Sequence, residues 1–380
     1  MDFALTGEQE LLLTTVRSFV NKECPREYIR MLDEREEYPV DLLKKMVDLG
    51  WVGLPFPEEY GGSGGNILDM ILVLEELARG AFPAASALAS CWMFAGFPIM
   101  IAGKEEQRKY YIPKLIRGEL KFAFSLTEPN AGSDAAAIST RAEPKGDKFT
   151  INGTKMFCSS AHVADKILLV ARTDKSVSAP KGTTIFLVDT KAPGLQMRRI
   201  PTLGRRFSGT FELVLEEVEV GAKDILGELN KGWPSLMQFL TVERICSAAL
   251  STGCAKAAVD DASQYARERY QFGRPISKFQ VIQHKIVDMQ IAVDSARMLT
   301  YRAAWLAKEG RKCTKEASMA KAAAAQAWML ASMEGLQIMG GYGYTMEYDM
   351  QRYFRDAKFA SIGGGTAEIQ RNIVARELGL

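Results

Sequence analysis

Two turn-rich segments carry the groups best suited to hold a ligand. The first, IGGGTAEIQR at positions 362–371, places three glycines before Thr366, which can cap a helix beginning at residue 367. Such a helix start exposes unpaired N–H groups and lets an anion or polar ring approach closely. The second, AFSLTEPNAGSD at 123–134, offers backbone amides and hydroxyls to a planar or anionic ligand. Each segment is equally compatible with an ordinary tight turn.

Other residue types with catalytic or metal-binding chemistry are scarce. His162 and His284 are the only two histidines, which leaves little material for a His-rich metal site or a Ser/His/Asp triad. The cysteines show no CxxC spacing, which argues against both a zinc site and a disulfide framework. We therefore predict no metal and a reducing, cytoplasmic setting. The cysteines are Cys24, Cys91, Cys158, Cys246, Cys254 and Cys313.

Length and composition indicate a multi-domain globular protein. The 380 residues are 47% apolar and 25% charged, enough to bury two or three cores. Lysine plus arginine (48) nearly balances aspartate plus glutamate (46), so no basic surplus is available for nucleic-acid phosphates. Acidic residues interrupt the apolar positions of the first segment, and no continuous apolar run approaches the roughly 20 residues of a membrane span. We expect neither a signal peptide nor a membrane span.

The order of elements is helices, then strands, then helices. Residues 1–118 show helical periodicity, broken by the turn-rich LPFPEEYGGSGG; one helical face is expected from Leu11, Leu12, Val16, Phe19 and Val20. Residues 119–226 contain β-branched and aromatic runs separated by turn residues. The segment is too short for βαβ crossovers, which predicts a small antiparallel barrel or sandwich. Residues 227–380 are again helical, with one helix over 282–296 and an Ala- and Met-rich helix over 315–339.

Four separated motifs resemble the acyl-CoA dehydrogenase family in order and spacing. They are LTEPNAGSD, INGTKMFCSS, ARERYQFGRPISKFQVIQ and QIMGGYGYTMEYDMQRYFRDAKFASIGGGTAEIQR. The PEEYGG turn and the opening LTGEQELL are similar to the family as well, so the resemblance covers essentially the whole chain. It implies an α+β fold with a helical N-terminal domain (1–118), a β-barrel middle domain (119–226) and a C-terminal four-helix bundle (227–380), with FAD between barrel and bundle.

The resemblance also implies which residues contact FAD. Ser133 matches a ligand-contacting serine that also serves the substrate side, and Cys158 departs from an aliphatic family position. The family is usually a homotetramer, in which a neighbouring subunit helps to hold the FAD diphosphate and adenine. The implied cofactor contacts are Phe124, Leu126, Thr127, Ser133, Phe157, Cys158, Ser159, Arg269, Gln271, Phe272, Gln280, Gln337, Gly340, Gly341, Thr366 and Glu368.

Dehydrogenation of a thioester requires a carboxylate beside Cα and a hydride acceptor beside Cβ. In much of the family a glutamate directly precedes the Gly-Thr of the last motif, but this chain has Gly364 there. Isovaleryl-CoA and long-chain members instead carry the glutamate on a bundle helix within a Glu-Arg pair, which Glu243 and Arg244 match. The resemblance thus implies Glu243 as base, Arg244 as a CoA-side arginine, and the Gly364 N–H as a donor to the thioester carbonyl, together with the FAD ribityl hydroxyl.

The acyl pocket of the family is shaped by the segment that corresponds to residues 86–100. Cys91, Trp92, Phe94 and Phe97 would make this pocket bulky and apolar, which favours a short, branched or cyclic acyl group. The same residues would serve an enoyl-CoA reductase running the reverse reaction, a cyclic enoyl-CoA dehydrogenase acting away from Cα and Cβ, or a flavin-binding protein without activity. By analogy with the family, electrons are expected to leave to electron-transfer flavoprotein.

Overall fold

The computed structural model describes residues 4–380, and its first domain is helical as predicted. Helix α1 begins with a capping box, since the Thr6 hydroxyl accepts from the Gln9 N–H and the Gln9 side chain accepts from the Thr6 N–H, both at 3.2 Å. The helices of this domain are α1 (Gly7–Glu23), α2 (Arg26–Glu34), α3 (Val40–Asp48), α4 (Ile67–Cys91), α5 (Phe97–Ala102) and α6 (Glu105–Ile116).

The buried face of α1 differs slightly from the predicted one. Leu13, Val16 and Phe19 point inward, whereas Leu11 is 68% exposed. The reason is the helical period, because Leu13 lies three residues before Val16 and shares its face, while Leu11 does not. The prediction of an amphipathic helix is confirmed, and the assignment of Leu11 to its apolar face is wrong.

Helix α4 is the apolar centre of the first domain. With the π-helical turn Trp92–Gly96 and α5 it forms a helical run, Ile67–Ala102, that is long and apolar enough to cross a membrane. The sequence prediction of no such run is therefore wrong by length and composition. However, 72% of its most apolar stretch is buried inside the protein, so this is a core helix of a soluble fold.

The middle domain is a curved, seven-stranded half-barrel. The sheet order is β1-β4-β2-β3-β7-β6, with β5 paired to β4. Most pairs are antiparallel, but β1 and the start of β2 run parallel to β4, so the prediction of a purely antiparallel sheet is wrong at that edge. The long connection between β1 and β4 allows the chain to re-enter in the same direction. The strands are β1 (Phe122–Ser125), β2 (Arg141–Lys145), β3 (Lys148–Ser159), β4 (Lys166–Arg172), β5 (Thr183–Asp189), β6 (Leu195–Arg199) and β7 (Thr210–Gly221).

The C-terminal domain consists of three long helices and two shorter ones. Helix α7 packs against α4, α8 and α9, and Ala317, Ala320 and Ala324 of α9 are fully buried. Both predicted helices of this domain are confirmed. The elements are α7 (Gly232–Glu268), a hairpin of β8 (Tyr270–Gln271) and β9 (Arg274–Pro275), α8 (Gln280–Lys308), α9 (Thr314–Met339), α10 (Met350–Ala360) and α11 (Ala367–Glu377).

Two hydrophobic cores hold these parts together. One continuous core joins the N-terminal and C-terminal helices, and a second fills the half-barrel. Helix α7 runs through the first core beside the end of β1, where Phe239 of α7 packs edge-on against Phe124 at 5.6 Å between ring centroids. The N-terminal part of α7 therefore lies against the end of β1.

Candidate active site

Glu243 lies on α7 and faces the loop that precedes α11. Its side chain is 7% exposed, and its Oε2 atom has no hydrogen-bond partner among the described residues. A Cβ atom built on Gly364 would lie 3.1 Å from both Oε2 and Cδ of Glu243, and closer still to Oε1. The carboxylate therefore fills the space that any side chain at position 364 would need.

The loop opposite Glu243 depends on glycine. Gly364 and Gly365 have φ angles of +63° and +86°, in the left-handed region that other residues rarely adopt. Directly after them the Thr366 hydroxyl accepts from the Ile369 N–H at 3.2 Å, which confirms Thr366 as the N-cap of α11. Glu368 is exposed in the first turn, and the backbone N–H groups there lower the pKa of its carboxyl. The glycine turn therefore leads directly into the N-terminus of α11.

Positive charges surround the Glu243 carboxyl. Burial raises the pKa of Glu243, against the opposing attraction of Lys321, Arg244 and Arg205. Arg244 is itself 8% exposed, burial lowers its pKa, and its Nε has no partner among the described residues. A carboxylate whose pKa is raised by burial holds an abstracted proton more readily than an ordinary glutamate does.

Lys321 is a residue of this site that the motif comparison missed. It is buried on α9, and its ammonium donates to the carbonyls of Gly363 at 2.7 Å and Gly365 at 2.6 Å. A signal for it was present in the sequence: Ala317, Lys321, Ala324 and Trp328 recur at helical spacing, and all four are buried. A lysine on the apolar face of a helix needs a polar partner, and here that partner is the glycine loop.

The residues assigned to the flavin ring come together at the end of β1 and a bulge in β3. The Met156 N–H donates to Thr127 at 2.8 Å, and the Cys158 thiol lies 3.4 Å from the Phe124 carbonyl. The β3–β7 register shifts between Lys155 and Cys158, and Phe157 at the shift has a φ of +59° and is 59% exposed. A bulky residue held in a left-handed conformation on a bulge is typical of a functional surface.

Other predicted residues of this wall are less enclosed. Leu126 and Ser159 are half-buried, and Ser133 is exposed on the loop that follows β1. Ser133 thus lies at the open rim of the wall, not in its centre.

A buried ion pair, also missed by the motif comparison, holds this wall in place. Lys155 donates to the Glu128 carboxylate and to the Leu126 carbonyl, both at 2.9 Å. Glu128 also accepts from the N–H groups of Ser139 and Thr140, at 2.7 Å and 2.9 Å. Burial by itself would raise the pKa of Glu128, but Lys155 and these donors lower it to about 2. The pair therefore fixes the LTEPNAGSD segment beneath the bulge.

Of the residues predicted to shape the acyl pocket, some lie beside the predicted flavin wall and others are part of the hydrophobic core. Phe94 is half-buried and stacks on Phe124, with 5.8 Å between ring centroids and 11° between ring planes. Phe97 packs near Phe56 with a centroid distance of 6.2 Å. Cys91 is buried, and Trp92 is fully buried with its indole N–H donating to the Val52 carbonyl at 3.0 Å. Phe94 therefore faces the site, whereas Trp92 belongs to the packing of the helical domain.

A separate cavity of about 690 Å³ collects most of the residues assigned to the far end of FAD. Arg269, Gln271 and Phe272 of the hairpin line it from one side, and Gly340 and Gly341 line it from the end of α9. Gln280 and Gln337 are exposed nearby on α8 and α9 and do not line it. Phe272 occupies the hairpin tip with a φ of +52° and is 94% exposed.

The histidines and cysteines lie away from this chemistry. The His162 ring packs against Phe211 at 5.1 Å, and His284 is exposed on α8. All six cysteines are buried with free thiols. Within residues 4–380, no group of three or more His, Cys, Asp or Glu side chains is arranged to hold a metal ion.

The whole chain matches three models of one family. The N-terminal domain model of acyl-CoA dehydrogenase matches residues 6–119, the middle domain model residues 123–218, and the C-terminal domain model residues 230–379. The protein belongs to the acyl-CoA dehydrogenase family and is an FAD-dependent oxidoreductase.

Relatives and solved structures agree with this assignment. The 3-(aryl)acrylate reductase of Clostridium sporogenes is 40% identical, over 98% of this chain and 99% of that protein. The caffeyl-CoA reductase–Etf complex subunit CarC of Acetobacterium woodii is 37% identical, over 97% of each. Butyryl-CoA dehydrogenase from Megasphaera elsdenii superposes with a TM-score of 0.95 at 37% identity and 100% coverage of both chains.

An FAD-bound structure is similar as well. The complex of PigA with FAD and proline superposes with a TM-score of 0.95 at 26% identity and 100% coverage of both chains. FAD is accordingly the cofactor of this protein, and the exposed aromatic on the β3 bulge together with the glycine-lined helix start offers the apolar and N–H surfaces that a flavin ring requires.

Proposed function

We propose that the protein removes the α-proton of an acyl-CoA thioester with Glu243 while the bound flavin accepts the β-hydride. One observation carries this proposal. The Glu243 carboxylate fills the space beside Gly364, where much of the family places its glutamate on the loop. The base would thus be supplied from α7, and the glycine leaves the necessary room.

Each part of the site has a role in this reaction. Glu243 takes the proton, and its raised pKa keeps that proton on the enzyme. The Gly364 N–H, which donates to no described group, polarises the thioester carbonyl as negative charge develops there. Arg244 serves the CoA side. FAD supplies the hydride acceptor at flavin N5.

The cofactor contacts fall into two groups on one chain. Phe124, Leu126, Thr127 and the 157–159 bulge lie together where β1 meets β3 and would hold the flavin ring, with Ser133, Thr366 and Glu368 at its edges. The 690 Å³ cavity lies on the hairpin and the end of α9. We assign this cavity, with Gln280 and Gln337, to the diphosphate and adenine of FAD bound mainly by a neighbouring subunit.

We propose a homotetramer, which that assignment and the surface of α8 support. Ile291, Met298 and Trp305 lie seven residues apart on this helix, which is the usual pattern of a face that packs on another copy. The helix exposes five apolar side chains in all. They are Val281, Val287, Ile291, Met298 and Trp305. The tip residue Phe272 continues this surface.

The acyl group is proposed to be short, branched or cyclic. Phe94, Phe124 and Phe239 form a continuous aromatic cluster one helical turn from Glu243, which leaves a flat, apolar environment for the end of the substrate. An aromatic ring is one cyclic group that such a cluster accommodates. A relative at 40% identity is named 3-(aryl)acrylate reductase, which supports an aryl group as the substrate of this site.

The reverse reaction is a second candidate function. Relatives at 37–40% identity include the caffeyl-CoA reductase subunit and the 3-(aryl)acrylate reductase, so the enoyl-CoA reductase direction has specific support. The caffeyl-CoA relative is a subunit of an Etf complex, and we propose electron-transfer flavoprotein as the redox partner here, in a cytoplasmic setting. A cyclic enoyl-CoA dehydrogenase acting away from Cα and Cβ is the remaining alternative, in which Glu243 would be dispensable.

An anaerobic titration of the purified yellow protein tests these proposals together. Straight, branched, cyclic and aryl acyl-CoAs are added to the oxidised protein, and the matching enoyl-CoAs to the dithionite-reduced protein. We expect bleaching by a cyclic, aryl or short branched acyl-CoA, and loss of that bleaching in Glu243→Gln. Bleaching that survives in Glu243→Gln would contradict Glu243 as base, and the absence of any spectral change with every thioester would contradict the reaction itself.

A further inference from the structure

Lys321 has a placement that needs a physical reason. Lys321 is only 4% exposed in the first half of α9, although burial of an ammonium group is costly. No carboxylate among the described residues lies within 4.0 Å of it as an ion-pair partner. It is satisfied instead by two backbone carbonyls, those of Gly363 and Gly365. Its contacts are thus confined to the two residues that flank Gly364.

These contacts determine the direction of the Gly364 N–H. In a planar trans peptide the C=O of one residue and the N–H of the next point in opposite directions. Because the Gly363 carbonyl points at Lys321, the Gly364 N–H points away from Lys321. Gln370 fixes the following carbonyls, donating to Gly364 at 3.1 Å and to Gly365 at 3.0 Å. The glycine loop, whose two positive φ angles glycine adopts readily, is thus held in addition by the Lys321 and Gln370 side chains.

The charge of Lys321 acts on the same place. Among the groups that act on the buried Glu243 carboxyl, Lys321 has the largest effect in favour of the ionised form, ahead of Arg244 on α7 and Arg205 from the β6–β7 loop. Burial in turn lowers the pKa of Lys321 to about 8.

Two further groups lie close to this set. The Asp356 carboxylate accepts from the Arg205 backbone N–H at 2.5 Å. Burial, with a smaller contribution from Glu243, raises the pKa of the Cys246 thiol. Neither contacts Lys321, which remains the one lysine in the charged groups around Glu243.

We propose that Lys321 is a positioning residue for the reaction: it orients the Gly364 N–H toward the thioester carbonyl and favours the ionised, proton-accepting form of Glu243. The inference rests on the proposed function of Glu243 and Gly364. It extends that function to a residue whose hydrogen bonds are made to the backbone of the glycine loop.

The two effects are separable with two variants at one position. Lys321→Met removes both the donor and the charge with little change in length, whereas Lys321→Gln retains an amide donor without the charge. Lys315→Met, on the same helix but at a partly exposed position, is the matched control. Gln370→Met removes the other tie to the loop and leaves the charges unchanged.

The first readout is the protonation of Glu243 in the holoenzyme without substrate. Infrared difference spectra recorded against pH follow the carboxylic acid band, which is assigned by its loss in Glu243→Gln. Loss of a nearby positive charge disfavours the carboxylate, so the midpoint should rise by about one pH unit or more in both Lys321 variants and stay unchanged in Lys315→Met and Gln370→Met. An unchanged midpoint in folded Lys321→Met or Lys321→Gln would overturn the electrostatic role.

The second readout is the loop. Hydrogen exchange of the peptide covering 361–367 should become at least tenfold faster in Lys321→Met and in Gln370→Met, and less so in Lys321→Gln. Protection unchanged in Lys321→Met would overturn the orienting role. If Lys321→Met does not fold, Lys321→Gln carries the test of charge and Gln370→Met the test of loop restraint.

The rate of flavin bleaching by the best acyl-CoA completes the experiment. In Lys321→Gln the rate should fall about tenfold below the shifted midpoint and approach the wild-type rate above it. A rate loss that is the same at every pH would contradict a role through Glu243. If Glu243→Gln still bleaches, the proposed function fails, while the infrared and exchange readouts still decide whether Lys321 holds the loop and the carboxylate.

Discussion

The two ligand-binding regions of this chain differ in how complete they are. Around Glu243 the chain itself supplies the charged groups, the strained glycine turn and the ties that hold the turn, all inside a core shared by two domains. Around the 690 Å³ cavity the main features are the 94% exposed Phe272 and the exposed Gln280 and Gln337. The difference supports our proposals that the bond-breaking chemistry is built within one chain and that cofactor retention depends on a second copy.

The largest effect is expected at the base. Glu243→Gln should lower the rate of flavin bleaching by about 10²–10⁴-fold, because the amide cannot accept the α-proton. The measurement is single-turnover absorbance under anaerobic conditions, and flavin content should be unchanged. The double variant Glu243→Gly, Gly364→Glu moves the carboxylate to the loop and should recover part of the rate. No recovery in a folded, flavin-loaded double variant would argue that the two positions do not share one space.

The buried ion pair beneath the flavin wall should dominate stability. Glu128→Gln leaves the buried Lys155 ammonium uncompensated and should lower the free energy of unfolding by about 3–5 kcal/mol. Chemical denaturation measures this loss, with Glu143→Gln, at an exposed position of β2, as the control. Because the folded-state pKa of Glu128 is depressed to about 2, the wild-type stabilisation should be present above pH 4–5 and disappear as the pH falls towards 2.

Substitution of Gly364 tests whether the Glu243 carboxylate needs the space beside the glycine loop. Gly364→Ala puts a methyl group against the Glu243 carboxylate and should slow flavin bleaching by roughly 10–100-fold, beyond the modest cost of a positive φ. Gly310→Ala is a matched control, since Gly310 has a φ of +64° and nothing within 4 Å of its added Cβ. Equal rates for the two alanine variants would show that residue 364 does not crowd the base.

The smallest effect is expected at the 690 Å³ cavity between the hairpin and the end of α9. Phe272→Ser should weaken FAD retention by about tenfold and shift the protein towards smaller oligomers, with little loss of monomer stability because the side chain is 94% exposed. Light scattering and flavin content after dialysis measure both outcomes. Leu11→Ser, at an exposed position of α1, should change neither the flavin content nor the size of the oligomer. If the Phe272→Ser protein keeps the oligomeric mass and the flavin content of the wild type, the proposed role of this cavity in subunit assembly and FAD retention would be contradicted.

Much of the architecture was predictable because hydrophobic periodicity, helix caps and turn residues are local features of the sequence. The Ala-rich helix over 315–339 and the cap at Thr366 were predicted from residues a few positions apart and are confirmed. The direction of β1 was not, because whether two strands pair parallel or antiparallel depends on how the intervening chain returns. Leu11 and Trp92 show the same limit at the level of single side chains, since an apolar residue type does not specify which surface buries it.

The sequence by itself determined the family, the order of its domains, FAD as cofactor and the absence of a loop glutamate at 364, since each of these is written in residue types and spacing. Only the tertiary structure brought the Glu243 carboxylate into the space beside Gly364. It also placed the buried Lys321 ammonium against the carbonyls of that loop and left the Phe272 side chain exposed. The physical reason is that these contacts join positions far apart in the chain, and their directions follow from how α7, α9 and the last loop pack against one another.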